Sequence, residues 1–155
     1  MRFYLIDRVE EICCDKYITA VKCITLGDDV FDYHFPGNPI FPGTLIIEGL
    51  AQLSGMFLEL IIKRKESKQK HCIPTIVNKM KFRKPAVPGD RLWMRADIVS
   101  LRENYGVVKV KAEIDGKTCT EGELIFALVD VQDEALHKKR MELYDVYLKH
   151  AREVP

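Results

Sequence analysis

Net charge is almost missing: 24 lysines and arginines stand against 23 aspartates and glutamates, a formal +1 over 155 residues. A chain so balanced has no global basic field for nucleic acid or an anionic membrane surface, and neither partner is expected. Cysteine offers no framework either. Cys13, Cys14, Cys23, Cys72 and Cys119 are odd in number, two are neighbours, and none has C-x-x-C spacing. Neither a disulfide scaffold nor a zinc site follows; small buried hydrophobes in a reducing cytosol are expected instead. Repeats and low-complexity tracts are absent as well. The opening MRFYLIDRVEEI is interrupted by Arg2, Asp7, Arg8, Glu10 and Glu11. No signal-peptide run is therefore expected there, and the expected location is cytoplasmic. The length suits about one domain with a sizeable core.

What the chain does have is one long apolar run, residues 44–62. It follows a histidine, His34, and two Pro-Gly pairs, Pro36-Gly37 and Pro42-Gly43. The run approaches a transmembrane length, but Glu48, Gln52 and Glu59 lie within it, and a charge at a bilayer centre costs roughly 2.5–3.5 kcal/mol on insertion scales. A helix apolar all round is instead a buried helix, and no membrane span is expected. Glu48, Gln52, Gly55 and Glu59 stack on one face of it.

The rest of the chain reads as strands. Residues 4–14 and 17–25 predict a hairpin, followed by a turn at Gly27, Asp28 and Asp29 and a loop over 32–43. The helix should end near Arg64. The charge run 63–71 reads either as a polar helix end entering a loop or as a docking patch for an acidic partner. From residue 74 the period becomes two, predicting strands over 74–83, 91–102, the stretch around Val108 to Ile114, and 117–130. Leu92, Met94, Ala96, Ile98, Val108, Val110, Ala112, Ile114, Leu124, Phe126 and Leu128 should face inward. Asp115-Gly116 predicts a type I′ turn. Residues 132–153 read as a helix with Leu136, Leu143, Tyr147 and Ala151 on its apolar face, widened by Met141, Tyr144 and Leu148. The economical architecture is α+β: an antiparallel sheet wrapped around one central buried helix, residues 1–130, with 131–155 as a C-terminal helical extension of the same domain.

A carboxylic acid enclosed by apolar side chains holds its proton near neutral pH and can serve as a general acid; Glu48 is the candidate. Histidine titrates near neutrality and is the most frequent general base, the candidate role of His34. Unpaired N–H groups at the helix start after Gly43 suit an oxyanion. Together these fit proton removal beside a carbonyl with departure of a β-hydroxyl. The residues alone leave open that His34 only holds its loop and Glu48 only satisfies a buried hydrogen bond. Gln52 reads as a structural hydrogen-bonder, Gly55 as a packing point, and Glu59 as a residue near the exposed helix end.

HFPGNPIFPGTLIIEGLAQLSG, beginning at His34, resembles the active-site segment of the FabZ-type 3-hydroxyacyl-[acyl-carrier-protein] dehydratases, with its histidine-phenylalanine-proline-glycine loop and helix carrying glutamate and then alanine-glutamine. KFRKPAVPGDRLWM and DGKTCTEGELIF resemble that family's later strands and FYLIDRVEEI its first, so the likeness covers residues 3–130. It implies a hot-dog fold and a homodimer with active sites at the interface, often three dimers in a hexamer. It implies that His34 removes the C2 proton of a 3-hydroxyacyl thioester, while Glu48 of the partner subunit protonates the departing hydroxyl. The Gly43 N–H would bind the thioester carbonyl, with Gln52 supporting Glu48 or a water. Aspartate stands at the position of Glu48 in the related dehydratase-isomerases, which argues against isomerase activity. No metal or dissociable redox cofactor is implied, because a thioester already acidifies its own α-hydrogen; the acyl chain would ride on the phosphopantetheine arm of an acidic acyl carrier protein. Lys79, Lys81, Arg83 and Lys84 are candidate docking charges or simply a solvated strand face. The chain departs from the family at Asn38, at Phe41 and at Ile76-Val77-Asn78; Phe41 and Ile76 would bear on the acyl tunnel. Fatty-acid, lipid A-linked and polyketide-like pathways all fit. A hot-dog thioesterase and a non-catalytic acyl-binding subunit are the rival readings. The first typically lacks this histidine loop and helix glutamate together, and the second has no use for both.

Overall fold

A computed structural model describes residues 3–155. Seven strands form one sheet in the order β3-β6-β5-β4-β2-β1-β7. They are β1 (Arg8–Cys13), β2 (Tyr17–Cys23), β3 (Lys70–Phe82), β4 (Arg91–Leu101), β5 (Tyr105–Ile114), β6 (Lys117–Asp130) and β7 (Arg152–Val154). Every neighbouring pair is antiparallel except β1 with β7, which is parallel. Among the described residues there are also two α-helices, α1 (Gly43–Glu66) and α2 (Glu134–Leu148), and a 3-10 turn at Asp29–Asp32.

The alternation that predicts one dry face is realised in β4, β5 and β6. Leu92, Met94, Ala96, Val108, Val110, Ala112, Ile114, Leu124, Phe126 and Leu128 are all buried, and Ile98 is half-buried. That face closes on α1, where Leu50, Leu53, Met56, Phe57 and Leu58 lose essentially all solvent contact. Each such side chain contributes about 1.5–3 kcal/mol of transfer free energy, so the helix and sheet hold one another in place. By length and composition α1 is apolar enough to cross a membrane, but 72% of its apolar window is buried inside the fold. The Asp115-Gly116 turn has positive φ at both residues, 51° and 73°, as a type I′ hairpin between β5 and β6 demands.

The structure corrects several expectations at the edges. β1 starts only at Arg8, leaving residues 4–7 as an irregular segment. α1 runs to Glu66 and ends on Ser67 in the left-handed region, φ 51°, with Lys63, Arg64 and Lys65 in its last turn, where cations suit the helix dipole. The charge run then leads into β3, which begins at Lys70 rather than 74. The C-terminal helix stops at Leu148, and the last residues turn back as β7 beside β1. Two ion pairs tie β7 down, Arg64 to Glu153 and Arg152 to Glu11. Finally, Leu136 is exposed whereas His137 is buried with Tyr144 and Tyr147. The rest of the expected face is the packed one, with Met141, Leu143, Leu148 and Ala151 partly buried against the core.

Candidate active site

His34 sits at the head of a loop closed on itself. Ile40 N–H donates to the His34 carbonyl (3.0 Å), and Phe35 and Asn38 exchange backbone bonds (3.1 and 2.9 Å). Gly37 turns the loop with φ 75°, a conformation that favours glycine. His34 Nδ1 lies 2.7 Å from the Ile40 carbonyl oxygen. A carbonyl only accepts, so Nδ1 carries the hydrogen, and in the neutral ring the lone pair is then on Nε2. The ring stacks on Phe35 at 4.1 Å and is half-buried. The arrangement fits a fixed, oriented base.

The same loop delivers the start of α1. Phe41 N–H donates to the Ala86 carbonyl (2.8 Å), pinning the chain before Pro42, and the Phe41 ring packs on Phe31 at 6.3 Å. No side chain caps the helix and no acidic residue lies in its first turn. Its leading N–H groups, which lack intrahelical partners, are thus left to other acceptors. A cavity of about 480 Å³ opens there, with Gly43, Phe82, Arg83 and Lys84 in its walls. The Phe82 ring approaches so closely that a Cβ on Gly43 would lie 2.5 Å from it; glycine is what lets ring and helix start share the space.

Glu48 lines a different cavity, of about 430 Å³, together with Gln52, Gly55 and Ile73. Gln52 Nε2 donates to Glu48 Oε1 (3.0 Å) and to the Phe3 carbonyl (2.9 Å), while its own Oε1 accepts from Leu5 N–H (3.2 Å). The amide thus aims the carboxyl and fastens the irregular N-terminal segment across α1. Glu48 is half-buried rather than buried, so the enclosure expected of it is not supplied by its own chain. Among the described residues no hydrogen bond or ring contact joins His34 to Glu48.

Of the remaining sequence candidates, Phe41 is buried beside the Gly43 cavity, away from Glu48. Ile76 lies half-exposed on the outer strand β3 and is not among the residues lining either cavity. Arg83 and Lys84, just beyond β3, line the Gly43 cavity, and Lys79 and Lys81 stand exposed on β3. Arg83 is also bonded to Glu121 (2.6 Å). Among the described residues no three His, Cys, Asp or Glu side chains converge to hold a metal.

Glu59 overturns its sequence reading. It is 5% exposed and accepts from Cys72 N–H, the Arg140 guanidinium and the Tyr144 hydroxyl, each at 2.9 Å. Burial pushes its carboxyl above the ordinary range, while Arg140, the Cys72 N–H and Tyr144 pull it back. Beside it His71 Nε2 lies 3.2 Å from His137 Nδ1. Arg140, Leu143, Tyr144 and Tyr147 of α2 all line the Glu48 cavity. The stripe of α1 gave a signal for Glu59; nothing in α2 pointed to a cavity wall.

A hot-dog roll with a histidine loop and a helix carboxylate defines a class, and comparison with known proteins narrows it. A family model described as a FabA-like domain matches residues 1–123. The "3-hydroxyacyl-[acyl-carrier-protein] dehydratase FabZ" of Acetivibrio thermocellus is 39% identical over 136 residues, covering 86% of this chain and 89% of that one. Two solved structures share the fold at lower identity. One, from the dehydratase heterocomplex ApeI:P of Xenorhabdus doucetiae, has a TM-score of 0.69 at 15% identity and covers 89% of this chain and 90% of the other. The second, a hot-dog-like protein from Thermanaerovibrio acidaminovorans, has a TM-score of 0.61 at 19% identity, covering 83% and 90%. The chain belongs to the FabA-like domain family, among its FabZ-type dehydratases.

Proposed function

We propose that this chain is a 3-hydroxyacyl-[acyl-carrier-protein] dehydratase, acting in fatty-acid or a closely related acyl-chain synthesis, and that it works as a homodimer with two composite active sites. The observation that carries the reading is the division of the machinery. The Gly43 helix start opens on one cavity, with His34 bonded to its lining residue Ile40, while Glu48 and Gln52 line another; two copies would complete one site. A surface suited to the second copy is present. β3 is the outer strand of the sheet, and Ile73, Ile76, Val77 and Phe82 along it are about half exposed. An unpaired apolar edge is a template for another strand. Pairing there would bring the halves together and enclose Glu48; three such dimers would make the hexamer.

The chemistry follows from the atoms. The thioester carbonyl, bound by the Gly43 N–H at the positive helix end, acidifies its α-hydrogen. His34 Nε2 takes the C2 proton, and the resulting imidazolium keeps its Nδ1–H on the Ile40 carbonyl. Electrons from the C2–H bond form the C2–C3 double bond as the C3–O bond breaks. Glu48 of the partner subunit, aimed by its own Gln52, gives its proton to the leaving oxygen. The products are a trans-2-enoyl thioester and water, and proton transfer from imidazolium to carboxylate through solvent restores both groups. No cofactor enters any step. Arg83 and Lys84 at the Gly43 cavity, with Lys79 and Lys81 nearby, suit an acidic carrier protein whose phosphopantetheine arm reaches in; such rim charges mainly steer association. Five unpaired cysteines accord with the cytoplasm.

The test is incubation with a purified 3-hydroxyacyl carrier protein across short and long chains, followed by intact-mass spectrometry. Loss of one water from the acyl group is the expected result. A folded protein that leaves every chain untouched, or releases free acid as a thioesterase would, refutes the reading.

A further inference from the structure

We infer that the C-terminal helix α2 is a fixed wall of the acyl-chain pocket, and that Leu143 and Tyr147 on it set the chain length the enzyme accepts. This rests on the dehydratase reading above and goes beyond it. The matched family model ends at residue 123, before α2 begins.

The cavity that holds Glu48 continues along the α1 stripe rather than ending at the carboxyl. Glu48, Gln52 and Gly55 all line it, and Glu59 terminates the same stripe, ~16 Å from Glu48 along the helix axis at a helical rise. Gly55 adds no side chain to the cavity it lines; a Cβ there would reach ordinary van der Waals contact with Phe126 and Cys72, at 3.6 and 3.7 Å. Opposite this channel runs α2. Its Arg140 and Tyr144 bond Glu59, while Leu143 and Tyr147 stand in the same cavity as Gln52. Apart from these polar anchors the lining is apolar, including Ala51, Ile73, Pro74 and Phe3. Between Glu48 and the Arg140 anchor that composition suits a hydrocarbon tail.

A wall must also stay put. α2 is held at both ends and in the middle. Asp133 caps its start by accepting from Leu136 N–H (3.0 Å), His137 faces His71 of β3, and Arg140 and Tyr144 are fastened to the buried Glu59. Beyond its end, β7 joins the sheet against β1. The helix therefore spans from one sheet edge to the other across α1, and an acyl chain leaving Glu48 along the stripe runs against it. Leu143, half-buried, and Tyr147, 5% exposed, are the bulky side chains on that face that do not also serve as anchors.

The experiment is a chain-length series on the whole protein with two opposed variants, Leu143→Ala and Leu143→Trp. Turnover of 3-hydroxyacyl carrier proteins of graded length is measured beside the affinity of non-reactive acyl-pantetheine ethers of the same lengths, by calorimetry. Removing apolar bulk from such a pocket changes discrimination by about tenfold or more. Leu143→Ala should raise the long-to-short ratio of kcat/KM, and of affinity, about tenfold; Leu143→Trp should lower both. Unchanged ratios in folded variants of the same oligomeric state overturn the wall. If the wild type dehydrates no chain, the functional reading fails instead, and the affinity ratios judge the wall by themselves. Should one variant not fold, the other still decides through its sign.

Discussion

Glu59→Gln is the perturbation that most sharply probes how α2 is held. The substitution keeps shape and one acceptor, so the amide oxygen can still receive the Cys72 N–H now bonded at 2.9 Å. It removes the negative charge that Arg140 meets at 2.9 Å and puts a donor where the Tyr144 hydroxyl now donates. Losing one charge-assisted hydrogen bond costs about 1.5–3 kcal/mol, and stripping a buried charge of its partner about 3–5 kcal/mol. Arg140 is 34% exposed at its side chain and can recover some hydration, so the lower part of the range applies. We expect a loss of about 2–3 kcal/mol, read as a shift in the urea midpoint at fixed protein concentration. Hydrogen exchange should accelerate in α2 before β4 to β6, because that helix loses its central anchor. Arg140→Met in the same background should cost less than it does alone, since its partner is already gone. A loss below about 0.5 kcal/mol, or strict additivity of the two changes, would refute the anchoring of α2 through Glu59.

Other expectations follow from the same contacts. His34→Ala and Glu48→Gln should each reduce turnover by about 10²–10⁴-fold while circular dichroism and oligomeric state stay as in the wild type; near-full rate in either variant removes that residue from the mechanism. Among the described residues the buried Tyr147 hydroxyl has no partner, and burial, with Tyr4 and Asp7 nearby, pushes it up to about 12. Tyr147→Phe should therefore leave stability unchanged or raise it by about 1 kcal/mol, seen as a higher urea midpoint; a loss of that size would mean the hydroxyl is bonded after all. His71 is depressed by burial, then by Arg140 and His137, against Asp133 and Glu134. A base depressed in the folded state takes its proton first when unfolded, so its contribution is present above about pH 6.5 and is lost as pH falls toward the folded value. Thermal midpoints should fall between about pH 7.5 and 5.5, and His71→Asn should flatten that fall; an equal slope in the variant contradicts it.

Much of the fold is legible in the sequence because a sheet with one dry face leaves a period-two record. Leu92 to Ile98, Val108 to Ile114 and Leu124 to Leu128 all point inward as their spacing predicts. The Asp115-Gly116 turn is equally plain, since few residues tolerate its backbone. Long-range cover leaves no such record. Glu59 looks like a helix-end residue until α2 folds over it, and only the three-dimensional arrangement brings Arg140 and Tyr144 to its carboxyl. On α2 the apolar spacing finds Met141, Leu143, Tyr144 and Tyr147 but misses His137 and Arg140, which turn inward to polar partners that an apolar count passes over. β7 is too short to show any period. At the site, His34, Gly43 and Glu48 stand out through their motif, and Gln52 through its spacing. The half-burial of Glu48 does not, because how far other segments cover a helix face leaves no mark in the helix's own sequence.

The central claim, that each active site takes His34 from one subunit and Glu48 from the other, is open to a direct measurement. His34→Ala and Glu48→Gln proteins are purified separately, mixed, unfolded and refolded together, and assayed for dehydration of a 3-hydroxyacyl carrier protein. Random pairing makes half the dimers mixed, and each mixed dimer holds one intact site, so about a quarter of the wild-type rate should return. If the mixture contains mixed dimers and stays as inactive as its two components, the composite site is contradicted.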